Sequence, residues 1–356
     1  MGRIIIEPNN SNIIVKMIEN RLSILSKKIE QRLDSDLIFF SADIDRISEA
    51  IMNETVESTF LKSKRKKKNR KLTIILTTFG GEGYSVISMV QFIRRFYSCV
   101  YFIVPELAIS AGTLFCLSGN EIFMNESSAL GALDLQIVIE NEKVQSLNIV
   151  KKKMKQLELA VISNPNDTVS KHILSTMKLD YIYREKEQLQ EDIRTIAETW
   201  LKKYKFAPFE QYDEERKNKI LNIPNNLIDM ELLQNIEIFF HENRIFIEKA
   251  NSIGLEVKNY EKVFPDISIT INEFQKLNMD YTGYKRLAYG LDKTFCIYSR
   301  LVKDIPMVAI QENPNINEKR ENKLNAKHDM TTKVAERTFG IPLNINPLIL
   351  QYYFKH

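Results

Sequence analysis

The sequence predicts an α/β fold, and three observations carry that expectation. Short apolar runs (Leu72–Thr77, Cys99–Val104 and Glu121–Met124) are separated by stretches of helical period, the pattern of parallel β-α-β units. The first run ends in Thr78-Phe79-Gly80-Gly81-Glu82-Gly83, so a strand terminates in paired glycines. The second ends in the small-residue turn Ala108-Ile109-Ser110-Ala111-Gly112-Thr113, which presents one hydroxyl where a helix should begin. A chain of 356 residues has room for a sizeable core in one large domain or two modest ones.

Composition narrows the class. With 44% hydrophobic and 27% charged residues the chain reads as globular. Cys99, Cys116 and Cys296 form neither a disulfide framework nor a metal-ligand spacing, and buried thiols in a reducing cytoplasm are expected. No apolar run approaches the roughly 18 residues of a membrane span. The opening residues lack the long apolar region of a signal peptide. A net charge of +4 is mild for this length and does not by itself argue for nucleic acid.

Taken in order, Ile14, Ile18, Leu22, Leu25, Ile29 and Leu33 recur at helical spacing, predicting an amphipathic helix over 12–33 that covers a core or a neighbouring subunit. Its mixed-sign polar face disfavours a membrane-surface role. Asp36–Ser41 reads as a strand and 44–61 as a helix. Lys62 to Lys71 then holds eight cations in ten residues. This is expected to be a solvated loop, with an acidic partner as the alternative; no aromatic residues interleave there for base stacking. Strand 72–77, helix 83–96, strand 99–104, helix 110–118 and strand 121–124 follow. Residues 144–162 and 177–206 read as helices broken at Asn164-Pro165. A helix is expected at 228–238, and another before Gly254, which serves as its C-terminal stop. Residues 311–330 are rich in Asn, Lys and Glu and read as partly disordered, while the tail 341–354 is apolar enough to dock.

A hydroxyl at a helix start beside a strand that ends in glycines suits a nucleophile and an oxyanion hole. The ordered set Gly80-Gly81, Ala108-Ile-Ser110-Ala-Gly-Thr113, Glu121-Ile-Phe-Met124 and Ser128-Ala-Leu-Gly131-Ala-Leu-Asp134-Leu-Gln136, with His241 through Val257, resembles the serine dehydrogenase proteinase family. That family belongs to the Clp protease/crotonase superfamily and is related to the signal peptide peptidase A type. The resemblance covers roughly 36–140 and 235–260. It implies a Clp/crotonase-like fold of repeated β-β-α units, with helical additions at the N-terminus, middle and C-terminus. It also implies Ser110 as nucleophile, with oxyanion donors from Ala111 and from Gly80 or Gly81.

The proton acceptor is left open by the resemblance. Clp proteases carry a His about 25 residues after the nucleophile, where this chain has Asp134-Leu135-Gln136. His241 lies within one residue of the position of the Clp triad acid and is one candidate base, oriented by Asp134. Signal-peptide-peptidase types use a Lys about 40 residues on, where Lys151, Lys152 and Lys153 stand. Asp134 and Ser110 each have a plainer reading as a helix or turn cap. The family's usual Asp-Pro-Gln is Asp134-Leu135-Gln136 here. The expected architecture is an N-terminal helix (1–35), a hydrolase domain (36–262) with a helical insertion at about 144–235, and an accessory region (263–356). The expected function is a cytoplasmic, homo-oligomeric serine peptidase acting on peptide or protein without metal or nucleotide cofactor. The alternatives are a catalytically impaired scaffold that binds peptide or a partner protein, and acyl-CoA chemistry of the crotonase kind.

Overall fold

The computed structural model describes residues 3–5, 13–65, 70–139, 143–179, 181–228, 244–289, 293–294, 296–302 and 309–311. His241, residues 229–238 of the expected helix, Lys66 to Lys68 of the cationic run, most of the 311–330 stretch and the apolar tail 341–354 lie outside the described residues. In chain order the elements are β1 (Arg3–Ile5), α1 (Ile13–Leu33), β2 (Asp36–Ser41), α2 (Arg46–Lys62), β3 (Lys71–Thr77), α3 (Gly83–Phe96), β4 (Cys99–Val104), β5 (Leu107–Ala108), α4 (Ala111–Leu117), β6 (Glu121–Met124), β7 (Ala129–Leu130), β8 (Gln136–Ile139) and β9 (Lys143–Ser146). They continue with α5 (Leu147–Ser163), α6 (Thr168–Leu179), α7 (Tyr181–Trp200), α8 (Glu214–Leu221), α9 (Ile223–Ile228), α10 (Ile247–Ser252), β10 (Lys258–Asn259), α11 (Tyr260–Val263), α12 (Ser268–Tyr289), β11 (Lys293–Thr294), β12 (Cys296–Tyr298) and β13 (Ala309–Gln311).

The main sheet has the order β10-β6-β4-β3-β2-β12. Its first five strands run parallel, and β12 closes the edge antiparallel to β2 with Ile297 opposite Phe40. Both faces are covered, which is why the strands read as continuous apolar runs rather than alternating ones. Ile38, Phe40, Ile74, Leu76, Phe102 and Val104 join one core with α2, α3, α4 and α7. Leu37, Phe39, Ile75, Ile103 and Phe123 join a second core with α1 and α12. The α1 stripe Leu22, Leu25, Ile29 and Leu33 is buried there against Ile271 and Phe274. An Arg21–Glu273 ion pair at 2.6 Å borders it. Of the two readings of this face, a core or a neighbouring subunit, the structure shows the core for these four residues.

Four of the five parallel strands, β2, β3, β4 and β6, are each followed by a second, shorter pairing. Ile44 bridges Gly81, Thr78 bridges Ala108, β5 pairs with β7, and Leu130 bridges Ile245. These short pairings form a ladder beyond the C-terminal ends of β2, β3, β4 and β6, giving the β-β-α repeat expected from the sequence. The C-terminal end of a parallel sheet is where such folds place their chemistry.

The opposite end of the sheet corrects the reading of the cationic run. Asp36 is buried and accepts hydrogen bonds from Tyr97 Oη at 2.9 Å and Ser63 Oγ at 2.6 Å. Arg65 and Arg70 stand 3.5 and 3.9 Å from its carboxylate. Arg70 is itself buried, with its guanidinium over the Phe60 ring. Two of the ten residues' cations thus neutralise an internal carboxylate, and Lys71 Nζ donates to the Leu33 carbonyl. The helix expected from 144 begins at Leu147, because Lys143–Ser146 pairs antiparallel with Gln136–Ile139 and the Ser146 hydroxyl caps the helix at Ile149 N. The segment expected as one helix over 177–206 is the end of α6, then α7, then a π turn over Leu201–Lys205. Among the described residues no helix is long and apolar enough to cross a membrane.

Candidate active site

Ser110 is the residue before α4, and its backbone sits at φ 52°, ψ −113°. A side-chain-bearing residue rarely adopts a positive φ, and such strain persists only where the surroundings enforce it. The enforcement comes from both sides. Gly80, at φ +104°, packs so closely that a Cβ there would lie 2.7 Å from Ile109 O, 3.0 Å from Ser110 Cβ and 3.3 Å from Ala111 N. Across the turn, a Cβ on Gly131 would lie 3.1 Å from the Ser110 nitrogen. Ser110 occupies the N-cap position of α4, but its hydroxyl makes no cap bond to the helix. Its side chain is half-buried and makes no hydrogen bond to any described residue.

The main-chain donors around this turn divide into spent and unspent. Gly80 N–H donates to Thr78 Oγ1 at 3.0 Å. Gly112 N–H donates to Ile109 O and Leu114 N–H to Ser110 O. The parallel bridge to Ile44 uses Gly80 O and Glu82 N–H, and leaves Gly81 N–H aside. Among the described residues, Gly81 N–H and Ala111 N–H donate no hydrogen bond. Of the two glycines named from the sequence, Gly81 is therefore the one with an unspent donor.

Thr113 locks the turn from beneath. Its buried hydroxyl lies 2.8 Å from both Ala108 O and Gly131 O and accepts from Gly131 N–H at 2.9 Å. Thr113→Val keeps the shape but strands the Gly131 N–H, a loss of about 1–3 kcal/mol. Chemical denaturation should show that destabilisation.

Asp134 and Lys151 are joined by a polar chain rather than placed separately. Asn148 N–H, in the first turn of α5, lies 3.5 Å from Asp134 Oδ1. Gln190 Nε2 donates to Asn148 Oδ1 at 3.3 Å, and Gln190 Oε1 accepts from Lys151 Nζ at 2.8 Å. Glu187 stands 3.5 Å from the same ammonium. The helix-capping reading of Asp134 thus has structural support. Lys152 and Lys153 are exposed, but Lys151 is half-buried and held, so the three lysines do not form one solvated face. The structure packs Gly80 against Ser110 and Ala111, while Gly81, the next residue, packs against Ile44. It shows no contact between Lys151 and Ser110.

The sequence reading missed Gln190, Asn148 and the role of Thr113. Gln190 left a readable signal: it shares a helical stripe with Ile193, Ala197 and Trp200, all buried, so a polar residue interrupts a core face. Ile193 in turn places its Cδ1 3.3 Å from where a Gly83 Cβ would be, so α7 abuts the helix that follows the paired glycines.

No family model matches the chain, and no curated protein matches it. Among solved structures the chain is similar to the ClpP protease catalytic domain from Plasmodium falciparum, at 10% identity and a TM-score of 0.25, over 30% of this chain and 57% of that one. It therefore spans little more than half of that domain's length. A mutant of the 1510-N membrane-bound stomatin-specific protease matches at 18% identity and a TM-score of 0.26, over 39% of this chain and 68% of that one. ClpP1 from Listeria monocytogenes matches at 12% identity and a TM-score of 0.25, over 43% and 85%.

Proposed function

We propose that this chain is a serine hydrolase of the Clp/crotonase type acting on peptide bonds. Ser110 Oγ attacks the scissile carbonyl carbon and gives its proton to His241, which Asp134 orients. The resulting oxyanion takes hydrogen bonds from Gly81 N–H and Ala111 N–H. His241 then passes the proton to the leaving amine, and water repeats the sequence on the acyl-enzyme. The observation that carries the reading is the strained Ser110 backbone, packed on Gly80 and its hydroxyl unbonded, with the amides of the two adjoining residues, Gly81 and Ala111, unspent. An oxyanion hole needs such donors free and fixed before the substrate arrives.

Support for His241 comes from its neighbour in sequence. Ile245 exchanges hydrogen bonds with Leu130 in both directions, and Leu130 adjoins Gly131, which abuts the Ser110 nitrogen. His241 is four residues from Ile245, and four residues of chain span at most about 14 Å; the assignment rests on that tether. Lys151 is the second candidate, favoured by its withdrawal from solvent. Residues 36–262 are assigned as the hydrolase unit with the 144–235 helices inserted, and α12 with β12 as its covering. Peptide or protein substrate, homo-oligomeric assembly and a cytoplasmic location complete the proposal.

The rate of covalent labelling by a fluorophosphonate probe tests the acceptor. His241→Ala is expected to slow labelling by about 10²–10⁴-fold while the protein stays folded. Lys151→Ala is expected to slow it by about tenfold or less. The reverse order assigns the base to Lys151. Absence of labelling in wild-type protein at every pH favours the impaired scaffold.

A further inference from the structure

We infer that Gln190 is a positioning residue of the Ser110 site, holding the Asp134 carboxylate and the Lys151 ammonium in register with the oxyanion turn. This rests on the serine-hydrolase reading above. A buried carboxamide is retained at a cost unless both of its ends are bonded. Gln190 is 2% exposed in the apolar stripe of α7, and both ends are used: its oxygen by Lys151 Nζ, its nitrogen by Asn148 Oδ1. Asn148 is fixed a second time, through its own Nδ2, to the Ile228 carbonyl at 2.5 Å. Its backbone N–H faces Asp134. One side chain on α7 therefore braces the first turn of α5, together with the Ser146 cap and the Leu147 N–H bond to Leu135 O, and that turn faces the carboxylate.

The same helix touches the other half of the site. Ile193, nearly one turn after Gln190, closes on Gly83, two residues beyond Gly81. A single rigid helix is thereby in contact with the segment that supplies the oxyanion donor and with the polar chain that ends on Asp134. Among the described residues, the titratable groups in contact with this chain include Lys151 on α5, Glu187 on α7 and Asp134 in the preceding segment. Replacing Gln190 by an apolar residue removes the acceptor that shares Lys151 with Glu187 and one of the two side-chain bonds that hold Asn148. The first turn of α5, whose Asn148 N–H faces the Asp134 carboxylate, is then held less firmly, and the pH at which Ser110 becomes reactive moves.

The experiment is the rate of fluorophosphonate labelling of full-length protein against pH, for wild type, Gln190→Leu, Gln190→Glu and Gln188→Ala, each first shown to be folded by circular dichroism and thermal melting. Gln188 is exposed on the same helix and serves as the control. Gln190→Leu is expected to label at least tenfold more slowly at neutral pH, with its pH midpoint displaced by half a unit or more. Gln190→Glu keeps the acceptor for Lys151 but cannot donate to Asn148 when ionised, and is expected to recover only part of the rate. Gln188→Ala should follow wild type. A folded Gln190→Leu with the wild-type rate and pH profile overturns the inference and leaves the hydrolase reading intact. If Gln190→Leu is too unstable to assay, a Gln190→Glu profile identical to wild type overturns it equally. Wild-type protein that never labels overturns both.

Discussion

Ser110→Ala is expected to abolish fluorophosphonate labelling and to lower any peptide hydrolysis by about 10⁴-fold or more, with little change in stability. The reason for the second half is as specific as the first. The Ser110 hydroxyl makes no hydrogen bond to any described residue, so deleting it leaves no partner stranded, and a change within about 0.5 kcal/mol is anticipated. Ser110→Gly extends the test. At φ 52° a residue with a Cβ is strained by about 1–3 kcal/mol, and glycine relieves that strain. The glycine variant should be equally inactive yet more resistant to denaturant than wild type. An inactive variant that is also more stable is the signature of a residue kept for chemistry. Ordinary labelling of Ser110→Ala would remove Ser110 from the mechanism.

The second large effect is at the paired glycines, where activity and stability fall together. A Cβ at Gly81, with φ +139°, would lie 2.0 Å from the Ile44 carbonyl oxygen. That clash is with backbone and cannot be relieved by turning a side chain. Gly81→Ala is expected to cost at least about 3 kcal/mol. Gly80→Ala is the more informative variant. Its new Cβ would press on Ile109 O at 2.7 Å and on Ser110 Cβ at 3.0 Å, so the main consequence is displacement of Ser110, the proposed nucleophile. A fall in labelling rate of about 10²–10³-fold is expected, the size of losing one oxyanion donor, alongside measurable destabilisation in urea. Gly80→Ala with full reactivity would show that the close packing of these two turns is incidental.

Most of the sheet was legible because its strands are buried on both faces and bounded by punctuation that cannot be mistaken. Asp36–Ser41, Cys99–Val104 and Glu121–Met124 fall where the apolar runs placed them, and α3 begins at Gly83 as the glycine cluster indicated. The site's backbone half was legible for the same reason: glycines mark close approach, and Gly80 and Gly131 prove to be against Ser110. Which glycine has an unspent donor was not legible, since that depends on the Thr78 hydroxyl and the Ile44 bridge, both contacts made in three dimensions. The edge strand Cys296–Tyr298 was missed because three residues carry no period, and its partner Phe39–Ser41 is far away in sequence. The cationic run misled because charge density looks the same whether a guanidinium faces water or, like that of Arg70, an internal Asp36. The polar chain from Lys151 to Asp134 was unreadable for a similar reason. It is built from two neutral amides, Asn148 and Gln190, that have no motif.

The central claim is that Ser110 Oγ stands beside amides held ready for an oxyanion. The most direct measurement is the crystal structure of the wild-type protein after reaction with a fluorophosphonate. The account predicts phosphorus bonded to Ser110 Oγ, with the phosphonyl oxygen within hydrogen-bond distance of both Gly81 N and Ala111 N. An adduct whose phosphonyl oxygen points to solvent, or a protein that reacts at a different residue, would contradict it.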